Sequence, residues 1–496
     1  MEATGVPAWQ PVAGLDWHAG GLLATATAAM KEAPALALVL TLTYFLAINA
    51  FYLVLLVMAA LEMAAQRLRA EGRAGRRLLS SPVAPSISLI APAYNEEVTV
   101  EESLRSLLAL NYPNLEVILV NDGSRDRTMD VLTERFDLVP VHPIFRRVVE
   151  SKPVRGIYRS KTFAPLVVVD KENGGKADAL NAGLNLASSH LVCAIDADTL
   201  IELDSLLRMA RPFIESPDLL AAGGTIRVAN GCMVRHGRVV EAHVSSRPLE
   251  GIQTVEYLRA FLFGRLGWNR LGGNLVISGA FGLFRRDAVL ACGGYQHDTV
   301  GEDMELVLRL RARGYESGGP SRVDFVPDPV AWTEVPETTR VLGRQRDRWH
   351  RGLADVMWRY RRACLNPRYR AMGLVAIPYF LFFELLAPPI EAVGLVGLAI
   401  GIATRSIDWS FVALFFAVAY GLGMILTVGG LLLEEFAFHR YSTWQDRGLL
   451  LLWAALEDFG YHQLTVWWRL KGLWKFLRGR RDWGAMERRG LGRPAA

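Results

Sequence analysis

From Ala33 to Leu61 the chain runs 29 residues without a charge, and that run limits what the rest can be. An α-helix rises about 1.5 Å per residue, so roughly 20 residues cross the hydrocarbon of a bilayer. The run is longer than that, and no basic residue precedes Lys31, which does not fit a cleavable signal peptide. Arg67, Arg69, Arg73, Arg76 and Arg77 follow at once. Cationic flanks stay on the cytoplasmic side. The expectation is therefore an extracytoplasmic segment at 1–32, a transmembrane helix at 33–65 and a basic linker at 66–84.

Hydrophobic residues make up 51% of the 496, yet charged residues still reach 21%. Such a chain divides itself between lipid and water, and its length allows two or three domains. The net charge is only +5, so its placement says more than its sum. Nine arginines stand between Arg344 and Arg370, and a basic tail runs from Arg469 to Arg493. Interleaved with apolar segments, such clusters point to phosphates and lipid headgroups and not to nucleic acid. Cys193, Cys232, Cys292 and Cys364 are far apart and form no CxxC pair, which suggests neither a disulfide framework nor a zinc knuckle. The nine histidines show no HExxH spacing.

The C-terminal third returns to the membrane. Trp409–Leu433 carries no charge and reads as a span. The equally apolar 371–404 is interrupted by Glu384, Glu391 and the Pro388–Pro389 pair, which predicts a kinked helix facing protein or a watery path. A last segment, 448–468, holds Glu457, Asp458 and His462 near its middle and reads as interfacial or re-entrant. One span in and two back keep the basic tail cytosolic. This places a membrane region at 371–470, a cytosolic tail at 471–496 and the protein in a bacterial-type inner membrane as a multi-pass protein.

Between the spans, 85–342 reads as a cytosolic domain. "SISLIAP" (86–92), "LEVILVND" (115–122), "PLVVVD" (165–170) and "HLVCAIDAD" (190–198) read as buried strands, with helical spacing at 97–110, 126–136 and 175–187. That alternation predicts an α/β, mostly parallel sheet that binds ligands at the carboxyl ends of its strands. Polar motifs fall at those ends: Tyr94-Asn95-Glu96-Glu97, Asp122-Gly123-Ser124 and Asp196-Ala197-Asp198. On a regular strand the two acids of "DAD" point to one face, where hard oxygens suit Mg²⁺ or Mn²⁺ on a diphosphate. Alone, "DAD" and "NDGS" also fit surface turns. "NGGKADALN" (173–181) offers glycines, Lys176 and a helix start for a phosphate, without Walker spacing. Asp303 opens "GEDMELVLRLRARG" and fits an ordinary helix cap as readily as a catalytic acid.

In their order, "APAYNEE" (91–97), "VNDGS" (120–124), "GGKADALN" (174–181), "DAD" (196–198), "GED" (301–303) and "QRDRW" (345–349) resemble the signatures of membrane-integrated family 2 glycosyltransferases, akin to cellulose, poly-N-acetylglucosamine and hyaluronan synthases. The resemblance implies a GT-A-type, Rossmann-like domain flanked by transmembrane helices. It implies that Asp122 holds the uridine part of the donor, that Asp196 contacts the nucleotide and that Asp198 holds the metal. Tyr94, Glu97 and Lys176 help bind the donor, and Asp303 is the general base, with Glu302 the carboxylate next in line. Ser278 and Gly279 lie near the acceptor, while Gln345, Arg348 and Trp349 serve acceptor and pyrophosphate. Ser278 stands where some cellulose synthases carry a cysteine, which argues against a specifically cellulose-like acceptor site.

Two functions follow from that resemblance. One is a processive, inverting synthase that adds sugars from a UDP-sugar to a growing β-linked polysaccharide and exports it. The other is a non-processive membrane enzyme acting on a lipid or cell-envelope acceptor. The QxxRW signature favours the first, and the small number of spans makes an accessory membrane subunit an expected partner. In segment 343–370, Arg344, Arg346 and Arg351 are expected to anchor the interface, leaving Gln345, Arg348 and Trp349 to the site.

Overall fold

The computed structural model describes residues 19–70, 84–196, 199–235 and 237–480. The apolar runs build one ten-stranded sheet: β1 (Ile87–Ala93), β2 (Leu115–Asn121), β3 (Leu138–Val141), β4 (Val154–Ser160), β5 (Leu166–Lys171), β6 (Leu191–Ile195), β7 (Leu200–Ile201), β8 (Leu219–Val228), β11 (Phe281–Arg285) and β12 (Arg322–Thr333). A separate hairpin joins β9 (Met233–Arg235) to β10 (Arg238–Glu241). Strand order in the sheet is β3-β4-β5-β2-β1-β6-β11-β8-β12-β7. Side chains alternate between faces along a strand. Accordingly Leu89, Val117, Leu119, Val168 and Cys193 enter one buried cluster, and Ile90, Ile118, Val120, Val167 and Val192 enter another. Helices cover both faces, so these strands read as continuous apolar runs.

The sheet is mixed, and less parallel than the alternation predicts. β5, β2, β1 and β6 run parallel, while β11 runs against both β6 and β8, β4 against β3 and β5, and β7 against β12. β11 arrives from a helical excursion, Pro248–Leu271, and not by a β-α-β crossover, so its direction is reversed. That reversal has a consequence for the site. Phe281 pairs with Ile195, so the loop 278–280 enters at the edge where β6 ends. Ala93 pairs with Asn121 and Asn121 with Asp170, which levels the other strand ends at the same edge.

Among the described residues, three helical stretches are long and apolar enough to cross a membrane: Ala33–Arg67, Met372–Ala403 and Trp409–Glu435. The second widens into π-helical turns at Met372–Ala376 and Phe380–Leu385, then breaks before Ala387–Ala403. Pro388 and Pro389 sit in the first turn of the resumed helix, where a missing N–H costs least. The Glu384 carboxylate accepts from Tyr379 Oη at 3.1 Å and Tyr52 Oη at 3.5 Å, so this intramembrane acid is satisfied by protein. The segment 448–468 divides between two helices, Trp444–Leu456 and Tyr461–Leu477.

The chain forms two compact units. One joins Ala47–Pro389 to the chain from Tyr420 onward; the other joins the chain up to Leu46 to Ile390–Ala419. In the smaller unit, Gly394 leaves room for Thr41, whose hydroxyl oxygen would lie 2.7 Å from any Cβ at that position. Close approach through small residues suits helices packed in lipid.

Candidate active site

The motifs that follow β1, β2, β5 and β6 start from one edge of the sheet, where these strands end. Asp122 follows β2 and is 3% exposed. Its carboxylate accepts from Lys171 Nζ at 2.6 Å, Gly174 N at 3.0 Å, Gly175 N at 2.8 Å and Asn173 Nδ2 at 3.2 Å. Lys171 is fully buried and also meets Asp178 at 2.5 Å. An unpaired ammonium could not be buried there, and the two carboxylates supply the compensation. The result is a folded loop, 171–175, that ends at Lys176, the first residue of the helix Lys176–Leu186. Gly175 at φ 87° makes the turn into that helix, a conformation that only glycine takes freely.

Tyr94 and Glu97 lie on the loop after β1. Asn95, at φ 55°, receives Arg125 N on its side-chain oxygen at 2.9 Å, and its own N–H donates to Ser124 Oγ at 3.0 Å. Glu97 accepts from Arg127 N at 3.0 Å. These bonds fasten the two loops together and leave the Tyr94 ring 45% exposed, open to a flat ligand.

Lys176 reaches the centre of the site. Its Nζ lies 2.5 Å from Asp196 Oδ1 and 3.3 Å from the Gly279 carbonyl oxygen. Burial works against the ammonium charge, but Asp196, with Glu302 and Asp303, holds its pKa above the ordinary lysine value. Gly279 N donates to Asp303 Oδ2 at 3.2 Å, so one glycine touches both the cation and the acid. Glu302 and Asp303 begin the helix Glu302–Ser317. Lys176, Ser278, Gly279, Glu302 and Asp303 line a cleft with about 250 Å³ of empty space, part of it open to solvent, with Ile277, Phe284 and Tyr295 on its apolar side. Burial and then the Asp303 charge push the Glu302 carboxyl up to about 7, against the pull of Lys176 and Arg348.

The QRDRW motif lies on the helix Thr339–Arg359, whose start is capped by Thr338 Oγ1 accepting from Val341 N at 3.4 Å. Gln345 is 7% exposed, and its side-chain oxygen is buried with no hydrogen-bond partner among the described residues. A lone buried acceptor of this kind suits a ligand donor. Trp349 is 43% exposed, with the Arg346 guanidinium 4.7 Å from its ring centre. Arg346 itself pairs with Glu256 at 2.5 Å, and the Arg351 side chain is 4% exposed beside Asp347. Both arginines thus spend their charge inside the protein.

Residues 88–291 match the model of Glycosyl transferase family 2, and residues 191–426 match that of Glycosyl transferase family group 2. These stretches of the chain are similar to glycosyl transferase family 2. Poly-beta-1,6-N-acetyl-D-glucosamine synthase of Staphylococcus aureus strain COL is 31% identical over 300 residues, 60% of this chain and 60% of that protein. The synthase of the same name from Staphylococcus epidermidis is 31% identical over 302 residues, 61% of each chain. The chain therefore spans about three fifths of the length of these curated relatives. A mannosyltransferase from Pyrobaculum calidifontis, solved with GDP-Man and Mn²⁺, aligns at TM-score 0.46 and 20% identity, over 83% of this chain and 99% of that one.

The mixed sheet carries the motifs after β1, β2, β5 and β6 at one edge. The structure gathers Lys176, Asp196, Ser278, Gly279 and Asp303, while Asp122 underpins the loop that delivers Lys176. Asp198 lies outside the described residues. Two residues not named in the motifs adjoin these groups. Lys171, in "DKENGGK", ends a strand that is apolar from Leu166 to Val169, and that position alone was its signal. Arg265 lies in the π-helical turn Arg259–Arg265, with its guanidinium 4.0 Å from the Phe261 ring centre and Nη1 buried without a partner among the described residues. Burial draws its pKa down while the Asp303 charge supports it. Nothing in its sequence neighbourhood marks it.

Proposed function

We propose that this cleft transfers a sugar from a UDP-sugar to a growing β-linked polysaccharide, inverting the anomeric centre. The contact of Gly279 with both Lys176 and Asp303 carries the reading, because it sets a proton acceptor and a cation on either side of one small space. The acceptor hydroxyl oxygen attacks the anomeric carbon, its proton passes to Asp303, and the bond to the diphosphate breaks with its electron pair leaving on UDP. Lys176 and Arg348 face the charge that develops on the leaving group, in a site partly screened from water. Trp349 offers an indole face to the acceptor sugar, and Gln345 a buried oxygen to one of its hydroxyls.

The donor side is assigned to Tyr94, Glu97 and Asp196, with Asp122 setting the loop beneath them. Among the described residues no group of three His, Cys, Asp or Glu could hold a metal by itself. That donor set fits Mg²⁺ or Mn²⁺ held by one or two carboxylates plus substrate phosphates. Asp198, beside Asp196, is the residue assigned to hold it. The ion supplies charge neutralisation at the diphosphate.

The 31% identity to poly-beta-1,6-N-acetyl-D-glucosamine synthases supports UDP-N-acetylglucosamine as the donor and a polymer as the product. Three apolar helices support a place in the inner membrane, with the catalytic domain cytoplasmic and the product exported through the membrane region. Asp303→Asn tests the assignment. It abolishes transfer while UDP binding, followed by calorimetry, persists; full transfer by this variant removes Asp303 as the base.

A further inference from the structure

The helix that carries Gln345, Arg348 and Trp349 is held from two sides. On one, Gly352 meets Gly301 so closely that a Cβ there would lie 3.1 Å from the Gly301 Cα, next to Glu302 and Asp303. On the other, positions 343, 346, 347 and 350, spaced as one helical face, meet the helix Tyr461–Leu477. A Cβ at Gly343 would lie 2.7 Å from Trp468 Nε1, and one at Gly472 would lie 2.6 Å from the Asp347 carbonyl oxygen. Arg346 Nη2 donates to Tyr461 Oη at 3.3 Å, and Arg469 Nε to His350 Nδ1 at 3.3 Å. Lys475 Nζ donates to Asp347 Oδ2, whose side chain is 9% exposed.

The two glycines let the helices approach closely, with the Trp468 indole over Gly343 and Gly472 against the Asp347 backbone. Polar ties add to this packing in setting the register. The pair between Lys475 and Asp347 joins this outer helix to the QRDRW segment by opposite full charges. Asp347 stands between Arg346 and Arg348, so a turn of the helix about this point swings Arg348 and Trp349 directly.

We propose that Lys475 is a positioning residue for the transfer reaction. Its ion pair with Asp347 fixes the rotation of the Thr339–Arg359 helix, and so the placement of Arg348 and Trp349 against Asp303. This rests on the reading of Arg348 and Trp349 as ligands of the leaving group and acceptor.

The test uses the full-length protein in lipid nanodiscs, following UDP release and UDP binding. Lys475→Ala is expected to lower kcat by about 10- to 100-fold through misplacement of the reacting groups. UDP affinity falls by less than kcat, because the nucleoside side is assigned to Tyr94, Asp122 and Asp196 on other elements and only Arg348 on this helix reaches the diphosphate. Lys475→Arg, which keeps a cation opposite Asp347, restores most of the rate. Lys475→Met carries the test if Lys475→Ala fails to fold. A Lys475→Ala or Lys475→Met variant with the parent kcat overturns the proposal, as does a Lys475→Arg variant that folds yet stays as slow as the alanine form. Trp349→Ala in parallel separates the two layers. If it transfers normally, the motif reading fails; if it is inactive while Lys475→Ala is not, the positioning role alone fails.

Discussion

Gly279→Ala is the smallest change that reaches the centre of the site. The added methyl would lie 3.0 Å from Lys176 Nζ, 3.6 Å from Asp303 Oδ2 and 3.7 Å from Asp303 Cβ. Gly279 is not among the glycines with positive φ, so alanine takes the backbone without strain. The two contacts to Asp303 are ordinary van der Waals distances. Only the ammonium must give way, by a few tenths of an ångström, and it is the far end of a flexible side chain. The stability cost is therefore small, below about 1 kcal/mol. The functional cost is not. Displacing Nζ weakens its 3.3 Å bond to the Gly279 oxygen and disturbs its 2.5 Å contact with Asp196. A charge-assisted hydrogen bond is worth about 1.5–3 kcal/mol, which corresponds to roughly a 10- to 100-fold loss of rate. UDP release from UDP-N-acetylglucosamine measures the rate, and thermal unfolding measures the fold. A variant that unfolds like the parent and keeps its rate within about two-fold would refute a reacting centre at Lys176, Gly279 and Asp303.

Other consequences concern the groups around that centre. Lys171→Met leaves the buried Asp122 and Asp178 without their shared cation and costs about 3–5 kcal/mol in denaturant unfolding; a cost below about 1 kcal/mol would show that the pairing contributes little. The Glu302 carboxyl, ordinarily near 4.5, sits at about 7 in the folded protein, which therefore holds a proton there that the unfolded chain has released. Stability accordingly falls as pH rises from about 4.5 to about 7 and levels off above that. Glu302→Gln flattens that slope in thermal melts across the interval, and an unchanged slope would assign the pH dependence to other groups.

The legible part of this protein was the part with periodic signals. β-branched runs marked β1, β2 and β5 to within one residue at each end and located β6, which ends at Ile195 and not at 198, because strands buried on both faces must be largely apolar. β11 was missed, since "FGLFR" is short and its antiparallel direction is set by the helical excursion before it, which no local pattern reports. Asp303 and Gly279 were named from motif resemblance, but their direct hydrogen bond depends on that reversed strand. The arginine-rich stretch shows the opposite failure. Composition suggested a surface anchor, whereas Arg346 and Arg351 are partnered by Glu256 and Asp347 from inside the fold. Charge counts cannot see partners, and buried arginine persists where carboxylates compensate it. Lys171 was overlooked for the same reason: its two acids come from β2's end and from the next helix.

The central claim is that one cleft repeats the same transfer to build a polymer. Purified full-length protein supplied with Mg²⁺ or Mn²⁺ and radiolabelled UDP-N-acetylglucosamine, its products sized on a gel, tests it most directly. The account predicts long, polydisperse chains that grow with time and vanish in Asp303→Asn. A single short product of fixed length, made at full rate, would contradict processive synthesis.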